Sequence, residues 1–231
     1  MLTPSVLELT VPARYNGPAG SAHGGYTCGR LAALAVPGPA AAVTLLKPPP
    51  LATPMRLRPG AHRSALWCGD ELIATATPTD ARIQAPAPVL VAEATAAENG
   101  FLGRTGHPFP TCFACGHART DGIGLRLAPG PVAGRPHTTA CVWRPADTAA
   151  ETVWSALDCA GGWTADPRRR PAVLTKMTAR LLRPPRVGAP HVLVGWRKDD
   201  HGRTATNVTA CYDADGELLA VASAVWTKRA G

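Results

Sequence analysis

The chain has 231 residues, of which 45% are hydrophobic and 17% are charged, and its formal net charge is +8. This composition excludes a disordered chain, and the length allows one large domain or two small ones. With 3 Phe, 3 Tyr and one short arginine run at 168–170, the chain lacks the pattern of a nucleic-acid-binding protein. We therefore expect its positive charge to serve a phosphate-bearing small molecule or an acidic carrier protein.

Taken in chain order, the first predicted element is a helix over residues 22–35, which follows a glycine-rich approach and ends before Pro37. A strand is predicted at 41–46, and alternating residues predict further strands at 72–77 and 218–226. The helix is rich in glycine and alanine. Because glycine in an exposed helix costs about 1 kcal/mol per site, we expect this helix to be buried, with a sheet wrapped closely around it.

Three short segments of the first half recur in the same order in the second half. The pairs are 23–26 with 160–163, 45–49 with 181–185, and 69–74 with 215–220. The last pair is separated by more residues than the other two, which indicates an insertion in the second copy. We expect this insertion at 195–203, as a longer hairpin turn around the polar residues Asp199 to Gly202. The sequence thus predicts a duplicated unit.

Residues 15–26, 154–163 and 175–184 resemble the two helix starts and the strand after the second helix in TesB-like acyl-CoA thioesterases of the hotdog superfamily. The resemblance implies an α+β double hotdog, in which two tandem units each have a central helix wrapped by an antiparallel β-sheet. The expected units are 1–107 and 108–231, the second entered through a Cys-x-x-Cys turn. Such a protein is expected to be a monomer or a homodimer.

The resemblance also implies that a thioester lies at the helix N-termini, where backbone amides stabilise a developing oxyanion. The expected substrate-binding residues are Gly24, Gly25, Tyr26, Gly161, Gly162 and Trp163. In the glycines among them, the missing side chain lets a ligand approach the backbone.

Three residues are candidate catalytic groups. Asp158 matches the aspartate that the family carries at the start of the second helix to activate water, and its apolar neighbours predict a raised pKa; a plain N-cap is the alternative. His23 stands where the second copy has Ala160, and it is a candidate acid, base or carbonyl donor or a structural turn residue. Thr178 is expected to position water or simply to pack in a strand.

One residue of the family pattern is missing. TesB-like hydrolases carry a glutamine on the last strand, and the corresponding position falls near Ala224, where Ser223 is the nearest polar residue. The glutamine of this chain, Gln84, lies elsewhere. The expected function is a thioesterase acting on acyl-CoA or acyl-carrier protein. The alternatives are a dehydratase, hydratase or cyclase acting on an acyl thioester, and a non-catalytic acyl-CoA-binding protein.

The segment between the two halves contains Cys112, Cys115 and His117, which are candidate zinc ligands in a Cys-x-x-Cys-Gly-His pattern. A fourth ligand would have to come from scattered residues, namely Cys141, Cys159, His107 or His137. A tight turn with buried thiols and a redox pair are the alternatives. No cofactor is required by the expected reaction, and coenzyme A would enter as part of the substrate.

Seven scattered cysteines, an odd number, favour a reducing compartment over a disulfide framework. The first residues lack the basic segment of a secretory signal, and no apolar run reaches about 18 residues. We therefore expect a cytoplasmic protein without a membrane segment.

Overall fold

A computed structural model of the chain describes residues 7–168 and 171–228, so that Arg169 and Arg170 of the arginine run lie outside the described residues. Within this part, eleven strands form one antiparallel sheet with three α-helices and a 3-10 turn at Leu102–Arg104. The helices are α1 (Gly24–Ala35), α2 (Val91–Glu98) and α3 (Ala150–Gly162). The strands are β1 (Leu7–Leu9), β2 (Ala40–Leu45), β3 (Met55–Arg58), β4 (Ser64–Cys68), β5 (Glu71–Pro78), β6 (Gly130–Pro131), β7 (Thr138–Trp143), β8 (Ala172–Leu181), β9 (His191–Asp200), β10 (Thr204–Tyr212) and β11 (Leu218–Lys228).

The strand order across the sheet is β1-β3-β4-β5-β2-β8-β11-β10-β9-β7-β6. In the first half the strands β1-β3-β4-β5-β2 follow one another across the sheet, and in the second half β7-β9-β10-β11-β8 do so in the corresponding order. Along the chain, α1 follows β1 and α3 follows β7, so the helices also occupy corresponding places. The two halves meet where β2 pairs with β8, with Val43 opposite Met177 in the register. Both side chains are fully buried, so that the sheet continues through this junction without interruption of its core.

The two proline-ended segments occupy equivalent positions. In each half, two consecutive amides after the strand donate to one carbonyl of the half's last strand. The donors are Leu46 and Lys47 to the Ile73 oxygen, and Leu182 and Arg183 to the Leu219 oxygen. The local pattern of two leucines, a cation and two prolines therefore identified the same structural position twice.

The first of the three sequence matches is wrong. The segment 23–26 begins α1, but the segment 160–163 ends α3, which begins at Ala150. A pair of glycines is compatible with either end of a helix, so the short motif did not define which end it marks. Asp158 consequently lies within α3 and not at its start. The alternative that Asp158 is an N-cap is therefore wrong.

The predicted insertion is also corrected. Residues 195–200 belong to β9, and the turn to β10 lies at 201–203. Asp199 and Asp200 pair with Thr206 and Ala205 across this hairpin. The extra residues therefore lengthen both strands relative to β3 and β4 instead of enlarging the turn.

The two long helices approach each other through the glycines of α1. A Cβ atom added to Gly29 would lie 2.5 Å from the Glu151 Cα, and one added to Gly25 would lie 2.6 Å from the Asp158 Cβ. The buried face of α1 predicted from its small residues is present, with Gly25 and Gly29 among its buried positions. These two glycines serve helix–helix contact, however, and not the close wrapping of a sheet. In the described residues, no helix combines the length and the apolar character needed to cross a bilayer.

The close approach of α1 and α3 leads to a first prediction. Gly29→Ala should lower the free energy of unfolding by about 1–3 kcal/mol, because the added methyl group overlaps the α3 backbone. Leu34→Ala, on the exposed side of the same helix, is the control and should change it little. Chemical denaturation of both variants measures the effect. A Gly29→Ala protein more stable than the wild type would contradict the packing, since alanine is the better helix former.

Candidate functional site

His23 and Asp158 meet where the first turn of α1 packs on α3. His23 is the N-cap of α1, and its Nδ1 accepts a hydrogen bond from the Tyr26 amide at 3.2 Å. The Gly25 amide donates to Asp158 Oδ2 at 2.8 Å, and His23 Nδ1 lies 3.7 Å from the same oxygen. The start of one helix therefore holds a carboxylate of the other, which is favoured by the positive end of the helix dipole.

Asp158 is a buried carboxyl with an unsatisfied oxygen. Its residue is 2% exposed, and Oδ1 has no hydrogen-bond partner in the described structure. Burial raises the pKa of Asp158 to about 6, against the opposing effects of His23 and of the Gly25 hydrogen bond. The raised pKa agrees with the prediction made from the apolar sequence neighbours of Asp158. Because a buried polar atom without a partner is costly, Oδ1 is suited to accept a hydrogen bond from a bound water or ligand.

A cavity of about 350 Å³ opens beside this pair. Its walls are largely apolar, and His23, Gly24 and Asp158 contribute the polar groups at the helix start. Gly24 is the first residue of α1, so its amide has no acceptor within the helix. The other walls come from the segment after β2, from the first residues of β8, from the end of α3 and from β11. They include Pro48, Leu174, Thr175, Trp163 and Trp226.

A cluster of cysteines and histidines forms a further part of the cavity wall. Cys159, which follows Asp158 in α3, has its Sγ 3.3 Å from His23 Nε2, 3.3 Å from Cys115 Sγ and 3.8 Å from Cys112 Sγ. His107 Nε2 lies 3.3 Å from Cys115 Sγ. All three sulfurs are buried. Residues from α1, from α3 and from the segment between the halves thus converge on one point.

The turn that carries Cys112 and Cys115 is tight. The Gly116 amide donates to the Cys112 carbonyl at 2.9 Å. A Cβ atom on Gly116 would lie 2.4 Å from the Cys112 nitrogen, so that a residue with a side chain would force the turn open. The turn predicted from Cys-x-x-Cys-Gly is present, and both thiols are buried as expected for it.

The sequence placed the wrong histidine beside these cysteines. His117 turns away, and its Nε2 contacts the Leu127 carbonyl at 3.3 Å. His23 and His107 are in its place, and Cys159 is the additional thiol. The remaining candidates lie elsewhere, with Cys141 in β7 and His137 against Arg197. The cluster therefore draws on residues that are distant in sequence and that no local spacing could select.

The three thiols are electrostatically unequal. Hydrogen bonds from Cys115 and Cys159 hold the pKa of Cys112 well below its ordinary value, and His23 acts in the same direction. The pKa values of Cys115 and Cys159 are raised, chiefly by their hydrogen bonds with Cys112. The surroundings thus favour the thiolate form more at Cys112 than at Cys115 or Cys159.

Comparison with known proteins relates the chain to solved structures. No protein-family model matches it, and no curated protein matches it by sequence. Solved structures superpose over nearly its whole length. The tesB protein of Mycobacterium avium subsp. paratuberculosis is 12% identical with a TM-score of 0.62, covering 96% of this chain and 91% of that one. A hot dog fold protein of Alicyclobacillus acidocaldarius is 17% identical with a TM-score of 0.61, covering 97% and 93%.

A third similar structure is the acyl-CoA thioesterase II TesB2 of Mycobacterium marinum, 15% identical with a TM-score of 0.57, covering all of this chain and 95% of that one. The chain has the hotdog fold. The resemblance to TesB-like structures that the sequence suggested is thereby confirmed, and at these identities it establishes the fold alone.

Of the predicted substrate-binding residues of this hotdog protein, Gly24, Gly162 and Trp163 line the cavity. The other three lie behind its surface. Gly25 packs against Asp158, and a Cβ atom on Gly161 would lie 2.4 Å from Thr209 Oγ1. Tyr26 stacks on Tyr15 with ring centroids 4.0 Å apart. Gly161 and Gly162 are also at the C-terminal end of α3, so they contribute no helix N-terminus to the site.

Thr178 lies in β8 between Ser223 and Ala42, outside the cavity lining. Thr175 of the same strand lines the cavity instead. It is the extra residue of a β-bulge, since Lys176 pairs with Val225 and Leu174 with Trp226. A bulge re-aims the side chains that follow it, and alternation along the strand carries no signal for it.

Trp226 is the residue of the last strand that lines the cavity, whereas Ala224, the position expected for a glutamine, does not line it. Ala224 is buried in the core and faces Met177 in the register. The Trp226 indole packs so closely on Gly162 that a Cβ there would lie 2.6 Å from its ring. Its Nε1 is buried with no acceptor in the described structure. Trp226 lines the cavity, and its indole nitrogen is, like Asp158 Oδ1, a buried polar atom without a partner among the described residues.

The tight cysteine turn leads to a second prediction. Gly116→Ala should open the turn and expose thiols that the fold buries. Under native conditions a thiol reagent should modify Cys68, which is partly exposed, before the six buried cysteines, and Gly116→Ala should add fast-reacting thiols to this first phase. Ala118→Ser, at an exposed position of the same segment, is the control. Unchanged protection in Gly116→Ala would refute the close approach.

Proposed function

We propose that this hotdog protein is a thioesterase that hydrolyses an acyl thioester in the cavity between α1 and β8, with Asp158 as the general base. The observation that carries the proposal is the buried Asp158 carboxylate, which lines an apolar cavity and has one oxygen held by the Gly25 amide and the other unpartnered. The similarity to structures described as tesB and acyl-CoA thioesterase II supports it.

The proposed reaction assigns a separate task to each oxygen of Asp158. Oδ2 stays bound to the Gly25 amide, which fixes the carboxylate on α3. Oδ1 accepts a proton from a water molecule as the water oxygen attacks the thioester carbonyl carbon. The carbon–sulfur bond then breaks, and the leaving thiolate takes the proton from Asp158, which gives a carboxylic acid and a thiol.

The developing oxyanion needs a donor, and two residues that line the cavity carry candidate N–H groups. One is the Gly24 amide at the start of α1, where the helix dipole favours negative charge. The other is Trp226 Nε1, which is buried and without an acceptor. We assign to Trp226 the position on the last strand that a glutamine holds in the TesB-like pattern.

His23 acts as a positioning residue in this proposal. Its Nδ1 accepts from the Tyr26 amide, and its Nε2 lies against Cys159 Sγ, so both ring nitrogens are engaged. A histidine held in this way is a poor candidate for proton transfer to substrate. Thr175, on the bulge of β8, takes the water-positioning role expected of Thr178, because it lines the cavity.

The finer parts of the proposal concern architecture and substrate. We propose that the halves are two copies of one hotdog unit, divided near residue 107, and that the equal strand order on both sides supports this duplication. Coenzyme A or an acyl-carrier protein is the expected carrier. The net charge of +8 suits either, and we propose Lys47 as a phosphate contact, since it lines the cavity and its partner there is the exposed Glu71. A cytoplasmic location, and a monomer or homodimer without nucleic acid, remain predictions.

Replacing the proposed base is the direct test. Asp158→Asn keeps the size of the side chain and a hydrogen bond from the Gly25 amide, but it removes the proton acceptor. We expect kcat for thiol release from acyl-CoA substrates to fall about a hundredfold, the usual contribution of a general base. The measurement is thiol release across short, long and aromatic acyl-CoAs.

Asp80→Asn, at an exposed carboxylate outside the cavity, is the matched control and should retain wild-type turnover. Full turnover in Asp158→Asn would overturn the mechanism. If no substrate releases thiol but enoyl absorbance changes, the protein is a hydratase or dehydratase. Ligand-induced stabilisation without any turnover would identify an acyl-CoA-binding protein instead.

The role of Trp226 leads to a further prediction. Trp226→Phe keeps an aromatic ring against Gly162 but removes the indole N–H, so kcat should fall about fivefold, which corresponds to one neutral hydrogen bond of about 1 kcal/mol. Trp67→Phe is the matched control, because the Trp67 indole N–H is also buried without an acceptor but lies outside the cavity. Equal kinetic effects of the two substitutions would remove Trp226 from the mechanism.

A further inference from the structure

Four potential metal ligands converge where the segment between the halves meets the two long helices. His23 caps α1, Cys159 lies in α3, and Cys112 and Cys115 belong to the tight turn. The ligand atoms of His23, Cys112 and Cys159 lie within 4.8 Å of one another. Cys115 Sγ is outside this group of three but lies 3.3 Å from Cys159 Sγ, so a shift of the tight turn toward His23 would complete a shell of four. Each of these side chains is buried.

The three separations that start from Cys159 Sγ agree with edges of a tetrahedral zinc site. With Zn–S bonds of about 2.3 Å and Zn–N bonds of about 2.0–2.1 Å, a tetrahedron has S···S edges of about 3.8 Å and N···S edges of about 3.5 Å. The Cys112–Cys159 separation is 3.8 Å, and the Cys115–Cys159 and His23–Cys159 separations are both 3.3 Å. We propose that Cys112, Cys115, Cys159 and His23 Nε2 bind one zinc ion.

The choice of His23 over His107 follows from the other ring nitrogen. His107 Nδ1 accepts from the Phe109 amide at 2.8 Å, which keeps the proton on Nε2 as a donor to the Cys115 sulfur. In His23 the corresponding bond from Tyr26 is longer, at 3.2 Å, and Asp158 Oδ2 lies 3.7 Å from the same nitrogen. When Nε2 binds the metal, Nδ1 carries the proton and faces the Asp158 carboxylate, as in many metal-bound histidines, and the weaker bond accepted from the Tyr26 amide is lost.

The site is closed and therefore structural. Three cysteines and one histidine complete a tetrahedral shell and leave no position for water or substrate. Binding replaces the thiol protons by one Zn²⁺ ion and involves no electron transfer, because zinc has no redox chemistry. The ion would tie the cysteine turn to both helices and hold His23 and Asp158 in place beside the cavity. A disulfide in this cluster would need an oxidant that nothing in the site supplies.

The first measurement is the metal content of the full chain purified without chelators. We expect one zinc ion per chain. After removal of zinc by a chelator, Co²⁺ should rebind and give the visible and charge-transfer absorption of a tetrahedral thiolate site. Removal of the metal should also lower the melting temperature. A chain that retains no zinc and gives no such Co²⁺ spectrum would overturn the proposal, as would a disulfide within the cluster.

Variants assign the ligands. Cys159→Ser and His23→Gln should each weaken Zn²⁺ affinity more than about a hundredfold, whereas His107→Gln, outside the shell, should weaken it about tenfold. Cys141→Ser, at a buried cysteine outside the cluster, is the matched control and should keep full metal content. A smaller effect of His23→Gln than of His107→Gln would overturn the assignment of the nitrogen ligand. Metal binding by wild-type protein tests the site even if a variant fails to fold.

The proposed metal site and the proposed hydrolysis can be tested independently, although the first deepens the description of the same region. Asp158→Asn should lose thiol release but retain zinc, because Asp158 is not a ligand in this shell. A protein that binds zinc and releases no thiol would support the metal site and refute the thioesterase. A protein that releases thiol but binds no zinc would support the thioesterase and refute the metal site.

Discussion

The contact between α1 and α3 determines most of what happens at the site. Two glycines of α1 bring the backbones so close that a single methyl group at Gly29 would overlap Glu151. At the same crossing, Gly25 is close enough for its amide to bind Asp158. The distance between the helices therefore decides both the stability of the core and the position of the carboxylate. A bulkier α1 would separate the two helices and leave Asp158 without its donor.

Because Asp158 and Cys159 are consecutive, this crossing also links the cavity to the cysteine cluster. Neighbouring residues of a helix point in different directions, so that Asp158 reaches the start of α1 while Cys159 reaches the turn at Cys112 and Cys115. His23 contacts both, through Nδ1 and Nε2 respectively. The proposed catalytic carboxylate and the proposed metal shell thus share one residue, and a metal bound at the cluster would fix His23 beside Asp158.

The hotdog fold of the chain does not by itself define the chemistry, because the same fold hosts unrelated functions. In the proposed site the Trp226 indole N–H on the last strand takes the place of the glutamine amide that the resemblance to TesB-like hydrolases implies. Trp226 can donate one hydrogen bond but cannot accept one, whereas a glutamine can do both. The proposed site therefore relies on Asp158 alone to accept a proton from water, and the aromatic ring makes the cavity wall more apolar.

Local patterns were sufficient for much of the fold. The proline-ended segments after β2 and β8 could be matched because the same residues form the same hydrogen bonds at both positions. The tight turn at Gly116 and the burial of Asp158 also followed from adjacent residues. The pair of glycines at 161–162 was misleading, because glycine marks a helix end without indicating which one.

Tertiary structure decided what no short window contains. Cys159 and His107, instead of His117, joined Cys112 and Cys115 because the chain between the halves folds back onto both long helices. Thr175, which is the extra residue of a bulge in β8, lines the cavity, and Thr178 does not. Trp226 reached the cavity because β11 lies beside β8 in the sheet. Each of these depends on contacts between residues far apart in the chain, so the sequence alone determined the candidate residue types, and the packing of α1, α3 and β8 selected among them.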